Sequence, residues 1–166
     1  MFETARDARL SDRAFALDGL GDALAGRGQF AEAEQAFRRS IEVRRSAATP
    51  AVDFAWSQTP LARILCEHGR LDEGTALADT ALKARIAEIT PGHKLIAQSE
   101  AALGSCMVVA KRLDEAESML TRAYATLSAV NGSHNQDARH AAAALANLYG
   151  RRGDAVKASD WRTKAR

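Results

Sequence analysis

The sequence predicts an all-α fold, a solenoid of about four stacked helix-turn-helix repeats, and three observations carry this prediction. A short turn motif recurs along the 166 residues at steps of 41, 42 and 42 residues. Leucines and small residues occupy matching positions around every copy. Only 5% of the residues are aromatic although 46% are hydrophobic, so Ala and Leu must supply the core, as is typical of helical proteins.

The turn motif first appears as Gly28-Gln-Phe-Ala-Glu-Ala, and later copies begin at Gly69, Lys111 and Gly153. A glycine here permits the left-handed backbone that ends a helix. Each copy therefore separates two antiparallel helices. Because a lone helix pair leaves an apolar face exposed, neighbouring pairs must stack.

Matching positions define columns of the repeat. A leucine stands eight residues before the turn, followed by a small residue, and small residues recur after the turn. These spacings place the columns on one helix face, where small residues let two helices approach closely. We therefore expect four repeat leucines in the interior: Leu20, Leu61, Leu103 and Leu145.

The predicted helices and repeats cover most of the chain. Eight helices are expected at about 11–27, 30–46, 51–68, 71–89, 93–110, 113–130, 134–152 and 155–165. Residues 1–10 are expected to be a leader or the remnant of a preceding helix. A single domain then spans 11–166, with repeats at about 11–47, 50–89, 91–130 and 133–166.

Pro60 departs from the pattern because it falls inside the third predicted helix. Proline lacks the N–H that would bond to residue 56 and crowds that carbonyl. Two outcomes follow: the helix bends at Pro60, or Thr59 caps a new helix that begins there.

The first repeat resembles the tetratricopeptide signature, through Leu17, Leu20, Gly21, Leu24, Ala33, Phe37 and Ser40. The period of about 42 residues resembles the lengthened variant of kinesin light chains and many bacterial proteins. This resemblance implies a right-handed α-solenoid, an α-α superhelix, that acts as a scaffold and binds a protein or peptide in its concave groove.

A narrower resemblance concerns Pro91-Gly-His-Lys-Leu-Ile-Ala and Leu113-Asp-Glu-Ala-Glu. Both segments look like the C-terminal repeats of bacterial serine/threonine kinases of the eukaryotic type. The alternative function that this resemblance implies is the regulatory or sensing region of such a kinase or of another signalling protein. The sequence itself contains no kinase motif.

The resemblance also assigns candidate groove residues, because first helices line the groove in tetratricopeptide arrays. Carried over by column, the ligand-binding candidates are Asp22, Trp56, Arg63, Glu67, Gln98, Ser105, His140, Asn147 and Arg151. The column two residues before each repeat leucine is also expected to face inward, and it includes Asp18 and Thr59. Arg63 and Arg151 are suited to clamping a carboxylate or phosphate together.

Composition and motifs argue against other classes of function. The net charge of +2 gives no basic face for nucleic acid or an anionic membrane. No catalytic constellation, cofactor motif or membrane-spanning run is visible, so we expect neither an enzyme nor a bound cofactor. His134, Asp137 and His140 have a spacing too unspecific to predict a metal site.

The two cysteines, Cys66 and Cys106, follow their repeat leucines by five and three residues, in different columns. We therefore expect them not to face each other and to be buried free thiols. Free thiols and the lack of a secretory signal in residues 1–10 favour the cytoplasm. The sequence identifies neither the partner nor the oligomeric state.

Overall fold

The computed structural model describes residues 5–131 and 135–166, and all regular structure within them is α-helical. The eight helices of this part of the chain are α1 Ala5–Gly26, α2 Phe30–Ser46, α3 Ala51–Glu67, α4 Leu71–Glu88, α5 Lys94–Val109, α6 Leu113–Asn131, α7 Gln136–Arg152 and α8 Ala155–Lys164. Apart from the start of α1, these bounds agree with the predicted ones within about two residues. The predicted all-α solenoid is confirmed.

The start of α1 differs from the prediction. Residues 5–10 belong to α1, so this helix begins six residues earlier than predicted. Residues 1–4, the rest of the segment expected to be a leader or helix remnant, lie outside the described residues. None of the helices that are described combines the length and apolarity needed to cross a bilayer.

The helices pack as antiparallel pairs that stack in chain order. The pairs are α1 with α2, α3 with α4, α5 with α6 and α7 with α8. Each second helix also contacts the next first helix, and the first helices contact one another in sequence from α1 to α7. Each repeat thus packs mainly on its neighbours, and the first helices form one side of the stack.

The four turns share one backbone conformation, with φ values of 76°, 85°, 63° and 78° at Gly28, Gly69, Lys111 and Gly153. The N–H of the next residue bonds back to the first helix, as from Gln29 to the Leu24 carbonyl at 2.9 Å. This left-handed ending confirms the turn column. Only Lys111 adopts it with a side chain that disfavours the conformation.

Small residues in the first helices admit large residues from the second. A Cβ added to Gly21 would lie 2.6 Å from the Phe37 ring, and one added to Gly104 would lie 2.7 Å from Leu120. Such distances are too short for carbon atoms in contact. The two glycines are therefore required by the close helix contact that the sequence predicted.

Three of the four repeat leucines are interior, with exposed fractions of 0% for Leu61, 6% for Leu103 and 0% for Leu145. Leu20 is 51% exposed, so the prediction is wrong for this residue. Leu61 clusters with Ala33 and Phe37 of the preceding repeat. No described helix precedes α1, so the same column has no equivalent partner there.

Helix α3 continues through Pro60 from Ala51 to Glu67. The predicted alternative, a new helix capped by Thr59, is wrong. The Thr59 hydroxyl instead lies 3.0 Å from the Ser99 hydroxyl of α5. Thr59 thus contacts the next repeat and does not cap a helix.

Cys66 of α3 and Cys106 of α5 form a disulfide, with their Cα atoms 5.2 Å apart. Both residues are fully buried. The expectation of two free thiols that do not face each other is wrong. Columns fix a position within one repeat, but neighbouring first helices are offset along their axes, so different columns meet between repeats.

Gly74 is the feature of the sequence that indicates the disulfide. Other repeats have alanine in this column, whereas a Cβ on Gly74 would lie 2.5 Å from the Cys66 sulfur. The glycine leaves room for the disulfide. Because disulfides persist in oxidising compartments, the cysteines no longer support the expectation of a cytoplasmic location.

Candidate ligand-binding groove

A cavity of about 410 Å³ opens on the side of the stack formed by the first helices. Seven of the nine predicted groove residues line it: Asp22, Trp56, Arg63, Glu67, Gln98, Ser105 and His140. They come from α1, α3, α5 and α7, one helix from each repeat. Thr59 lines the same cavity. The structure therefore brings residues from four first helices together around one space.

The other two predicted residues lie elsewhere. Asn147 and Arg151 line a separate, more open cavity beside α8, together with Arg162 and Arg166. The Arg151 Nε donates a hydrogen bond to Asn147 Oδ1 at 3.2 Å. Because Arg63 and Arg151 line different cavities, they do not form the predicted two-arginine clamp.

Trp56 forms an apolar wall of the cavity and is 39% exposed. Its ring packs edge to face against Phe15, with 6.2 Å between the ring centres. The guanidinium carbon of Arg85 lies 5.7 Å from the centre of the Trp56 ring. These contacts hold the indole in place while it presents an apolar surface to the cavity.

Acidic and basic groups face the cavity together. Arg63 Nη1 lies 3.3 Å from a Glu67 carboxylate oxygen. Gln98 Nε2 donates to Asp137 Oδ2 at 2.7 Å and so links α5 to α7. Burial raises the pKa of Asp22, and the negative charges of Asp18 and Asp137 raise it further, against the opposing effect of Arg63.

His140 is uncharged at neutral pH. Burial lowers its pKa to about 4, and the positive charge of Arg63 acts in the same direction. His140 therefore offers hydrogen bonds to a ligand rather than a charge. Among the described residues, no group of three or more His, Cys, Asp or Glu side chains is placed to hold a metal ion. His134, considered above as a ligand, lies outside them.

Two buried arginines that the sequence analysis overlooked lie behind the first helices. Arg44 of α2 and Arg85 of α4 occupy the same repeat column, and each is only 2% exposed. Both belong to second helices, whereas the predicted groove residues all came from first helices. Their recurrence one period of 41 residues apart is the signal that would have found them.

Arg44 is neutralised where the first repeat packs against the second, which we call the first repeat junction. Its Nη2 donates to Asp18 Oδ2 at 2.6 Å, and its Nη1 donates to the hydroxyls of Ser40 and Ser57. The Ser57 hydroxyl donates to the other oxygen of Asp18 at 2.6 Å. Asp18 is therefore buried in an ion pair, and the expectation that it faces the groove is wrong.

Arg85 has some of the same neighbours, but Ala81 replaces Ser40 and so offers no hydroxyl. Ser99, the column equivalent of Ser57, accepts a bond from Arg85 Nη1 at 3.0 Å. The Leu95 and Ala55 carbonyls accept bonds at 2.5 and 3.3 Å. The equivalent of Asp18, however, is Thr59, which carries no charge. Burial lowers the pKa of Arg85 to about 10, against the opposing effect of the Asp137 charge.

The fold is that of a helical-repeat solenoid. The sequence profile of the tetratricopeptide repeat family matches residues 16–48. No curated protein matches this chain in sequence. Among solved structures, BtubC (BKLC) from P. vanneervenii is similar, with 19% identity and a TM-score of 0.68 over 95% of this chain and 63% of that one. The chain thus spans less than two thirds of that protein.

A second similar structure is a Podosopora anserina putative kinesin light chain with nearly identical tetratricopeptide-like repeats. It shares 18% identity and a TM-score of 0.58 over 92% of this chain and 73% of that one. Likeness at this identity establishes the fold. The predicted resemblance to tetratricopeptide repeats is confirmed by the match at residues 16–48, and the chain has a kinesin-light-chain-like α-solenoid fold.

Proposed function

We propose that this chain is a non-catalytic scaffold that binds an extended or helical segment of a partner protein in the groove of its first helices. Tetratricopeptide repeats generally mediate protein–protein interactions, and the groove offers the mixed surface that such a segment needs. The observation that carries the proposal is the convergence of seven column residues, from four first helices, on one cavity.

Trp56 is the anchor of this proposed site. It is large, held by Phe15 and Arg85, and still 39% exposed to the cavity. Rigid aromatic side chains in such positions often dominate binding energy. Arg63, Gln98 and His140 supply hydrogen bonds around it. A bound segment would therefore place an apolar side chain against Trp56 and polar groups toward α5 and α7.

The test compares Trp56→Ala with Ile86→Ala as a matched control. Ile86 is a large apolar residue of the second helix α4 and is 57% exposed. Proteins captured by the immobilised parent chain are identified, and the affinity of each is measured for both variants. Trp56→Ala should weaken binding by roughly thirtyfold, which corresponds to about 2 kcal/mol, while Ile86→Ala has little effect. The opposite pattern would place the partner on the second-helix face.

A second proposal follows from the resemblance of residues 91–117 to repeats of bacterial kinases. In this case the stack is a regulatory region, and its partner is a protein kinase domain. Titration of a bacterial kinase domain of that type against the parent chain and Trp56→Ala tests this proposal. Saturable binding that the substitution weakens supports it, and the absence of binding contradicts it.

A further inference from the structure

Arg85 lies at the floor of the cavity and has no directly paired carboxylate. Its equivalent one repeat earlier, Arg44, has one. Arg44 pairs with Asp18 at 2.6 Å, whereas Thr59 occupies the matching position beside Arg85. Within residues 5–131 and 135–166, no carboxylate lies within ion-pair distance of Arg85. The negative charge of Asp137 favours the charged form of Arg85 only from beyond that distance. Burial of a charge without a directly paired opposite charge is costly, so this arrangement favours a counter-ion from elsewhere.

Gln98 stands between Arg85 and the nearest carboxylate of the cavity. Its Oε1 lies 3.5 Å from Arg85 Nη1, at the limit of a hydrogen bond, while its Nε2 holds Asp137 at 2.7 Å. The hydrogen bond from Arg85 to Gln98 is therefore weak. Gln98 and Arg85 both line the cavity, so this weak contact is the one that an acceptor from the cavity would replace.

We propose that the floor of the cavity is a carboxylate subsite, in which Arg85 supplies the positive charge and a carboxylate of the ligand replaces the amide oxygen of Gln98. This inference rests on the proposed function of the groove and specifies the chemistry of its ligand. The carboxylate belongs either to a small organic acid or to an acidic side chain of a bound segment, and the probes below separate these sources.

The surroundings favour a single carboxylate over a more highly charged anion. The first repeat junction already shows a carboxylate held by an arginine and a serine in this column. Asp22, Glu67 and Asp137 also line the cavity, and their negative charges repel a doubly charged group such as phosphate more strongly than a single carboxylate. Trp56 at the same floor provides an apolar contact for the carbon atoms that carry the carboxylate.

The test uses Thr59→Asp, which places the counter-ion of the first repeat beside Arg85, and Thr59→Asn as an uncharged control of similar size. The Nε resonance of Arg85, identified by its loss in Arg85→Lys, is followed by NMR as sodium acetate replaces sodium chloride at constant ionic strength. A saturable, acetate-dependent shift is expected in the parent chain and in Thr59→Asn. Thr59→Asp should weaken it roughly tenfold to hundredfold, because a charge-assisted hydrogen bond contributes about that much.

Two capped tripeptides, Gly-Glu-Gly and Gly-Gln-Gly, are titrated in the same way to separate the two sources. A shift with acetate alone assigns the subsite to small acids, whereas a shift with acetate and the Glu peptide, but not the Gln peptide, shows that an acidic side chain reaches Arg85. No acetate-dependent shift in the parent chain, or an equal shift in Thr59→Asp, would overturn the proposal.

The groove proposal fails separately. If a partner loses affinity with Trp56→Ala but acetate does not shift Arg85, the groove binds its partner without a carboxylate subsite. If acetate shifts Arg85 and no partner depends on Trp56, the subsite stands and the scaffold proposal is wrong. Circular dichroism of each variant confirms that it retains the helical fold.

Discussion

The first and second repeat junctions bury the same arginine in different ways. In the first, Arg44 is fully paired with Asp18 and two serine hydroxyls. In the second, Arg85 has only neutral partners and faces a cavity. The two junctions thus differ in the charge of Asp18 and in the hydroxyl of Ser40, which Ala81 replaces in the second. The repeat thus preserves its geometry while the electrostatics of one junction change.

The third repeat shows that neither charge is required for the fold. Its residue in the arginine column is Leu127, which is 2% exposed, and Ala101 occupies the column of Asp18 and Thr59. An apolar pair fills the same space. Since apolar replacement of buried ion pairs is often neutral or stabilising, Arg85 is not explained by stability alone. This is why we assign it to ligand binding.

The largest expected difference between the junctions concerns Asp18. Asp18→Ala should destabilise the chain by about 3–5 kcal/mol, because it leaves Arg44 buried without its partner. Thr59→Ala removes one hydroxyl contact with Ser99 and should cost only about 0.5–1.5 kcal/mol. Urea unfolding of both variants gives the two free energies. Similar costs would show that the two junctions are electrostatically alike.

The repeat leucines provide a second comparison. Leu61→Ala should cost about 2–5 kcal/mol through lost burial and a cavity. Leu20 occupies the same column in α1 and is half exposed, so Leu20→Ala should cost less than about 1 kcal/mol. Thermal or urea melts distinguish the two. An equal loss at Leu20 would mean that α1 is covered in solution, as by another chain.

The disulfide distinguishes the α3–α5 junction from its neighbours. The double substitution Cys66→Ala with Cys106→Ala should cost about 2–4 kcal/mol, because the bond closes a long loop of the unfolded chain, with a sequence separation of 40. Peptide mapping without reductant checks the bond itself. A map that recovers both cysteines as free thiols, or a double variant as stable as the oxidised parent, would contradict this expectation.

The smallest expected effect compares two turns. Lys111 adopts a φ of 63°, where Gly69 has 85° in the preceding repeat. Lys111→Gly should stabilise the chain by about 0.5–1 kcal/mol, since relief of the left-handed strain exceeds the entropy cost of glycine. Gly69→Lys is the reciprocal variant and should destabilise. A loss of stability in Lys111→Gly would show that its turn is not strained.

These differences also show what the sequence reveals and what it does not. Columns repeated every 41 or 42 residues predict the helices, the turns and seven cavity residues, because local periodicity determines which side of a helix each residue occupies. The axial offset between neighbouring helices depends on packing between repeats and not on local sequence. The disulfide was therefore not predicted from the sequence. Arg85 escaped notice because it reaches the cavity from a second helix. Leu20 was misjudged because no described helix packs on that face of α1.

The most direct test of the account is the free energy of unfolding of Thr59→Asp relative to Thr59→Asn, measured in urea near neutral pH. Arg85 is already buried and charged in the parent chain, so a carboxylate at position 59 completes an ion pair like that of Arg44 and Asp18. The account predicts that Thr59→Asp is more stable than Thr59→Asn by about 1.5–3 kcal/mol. A Thr59→Asp variant that is no more stable than Thr59→Asn would contradict the claim that Arg85 lacks a counter-charge.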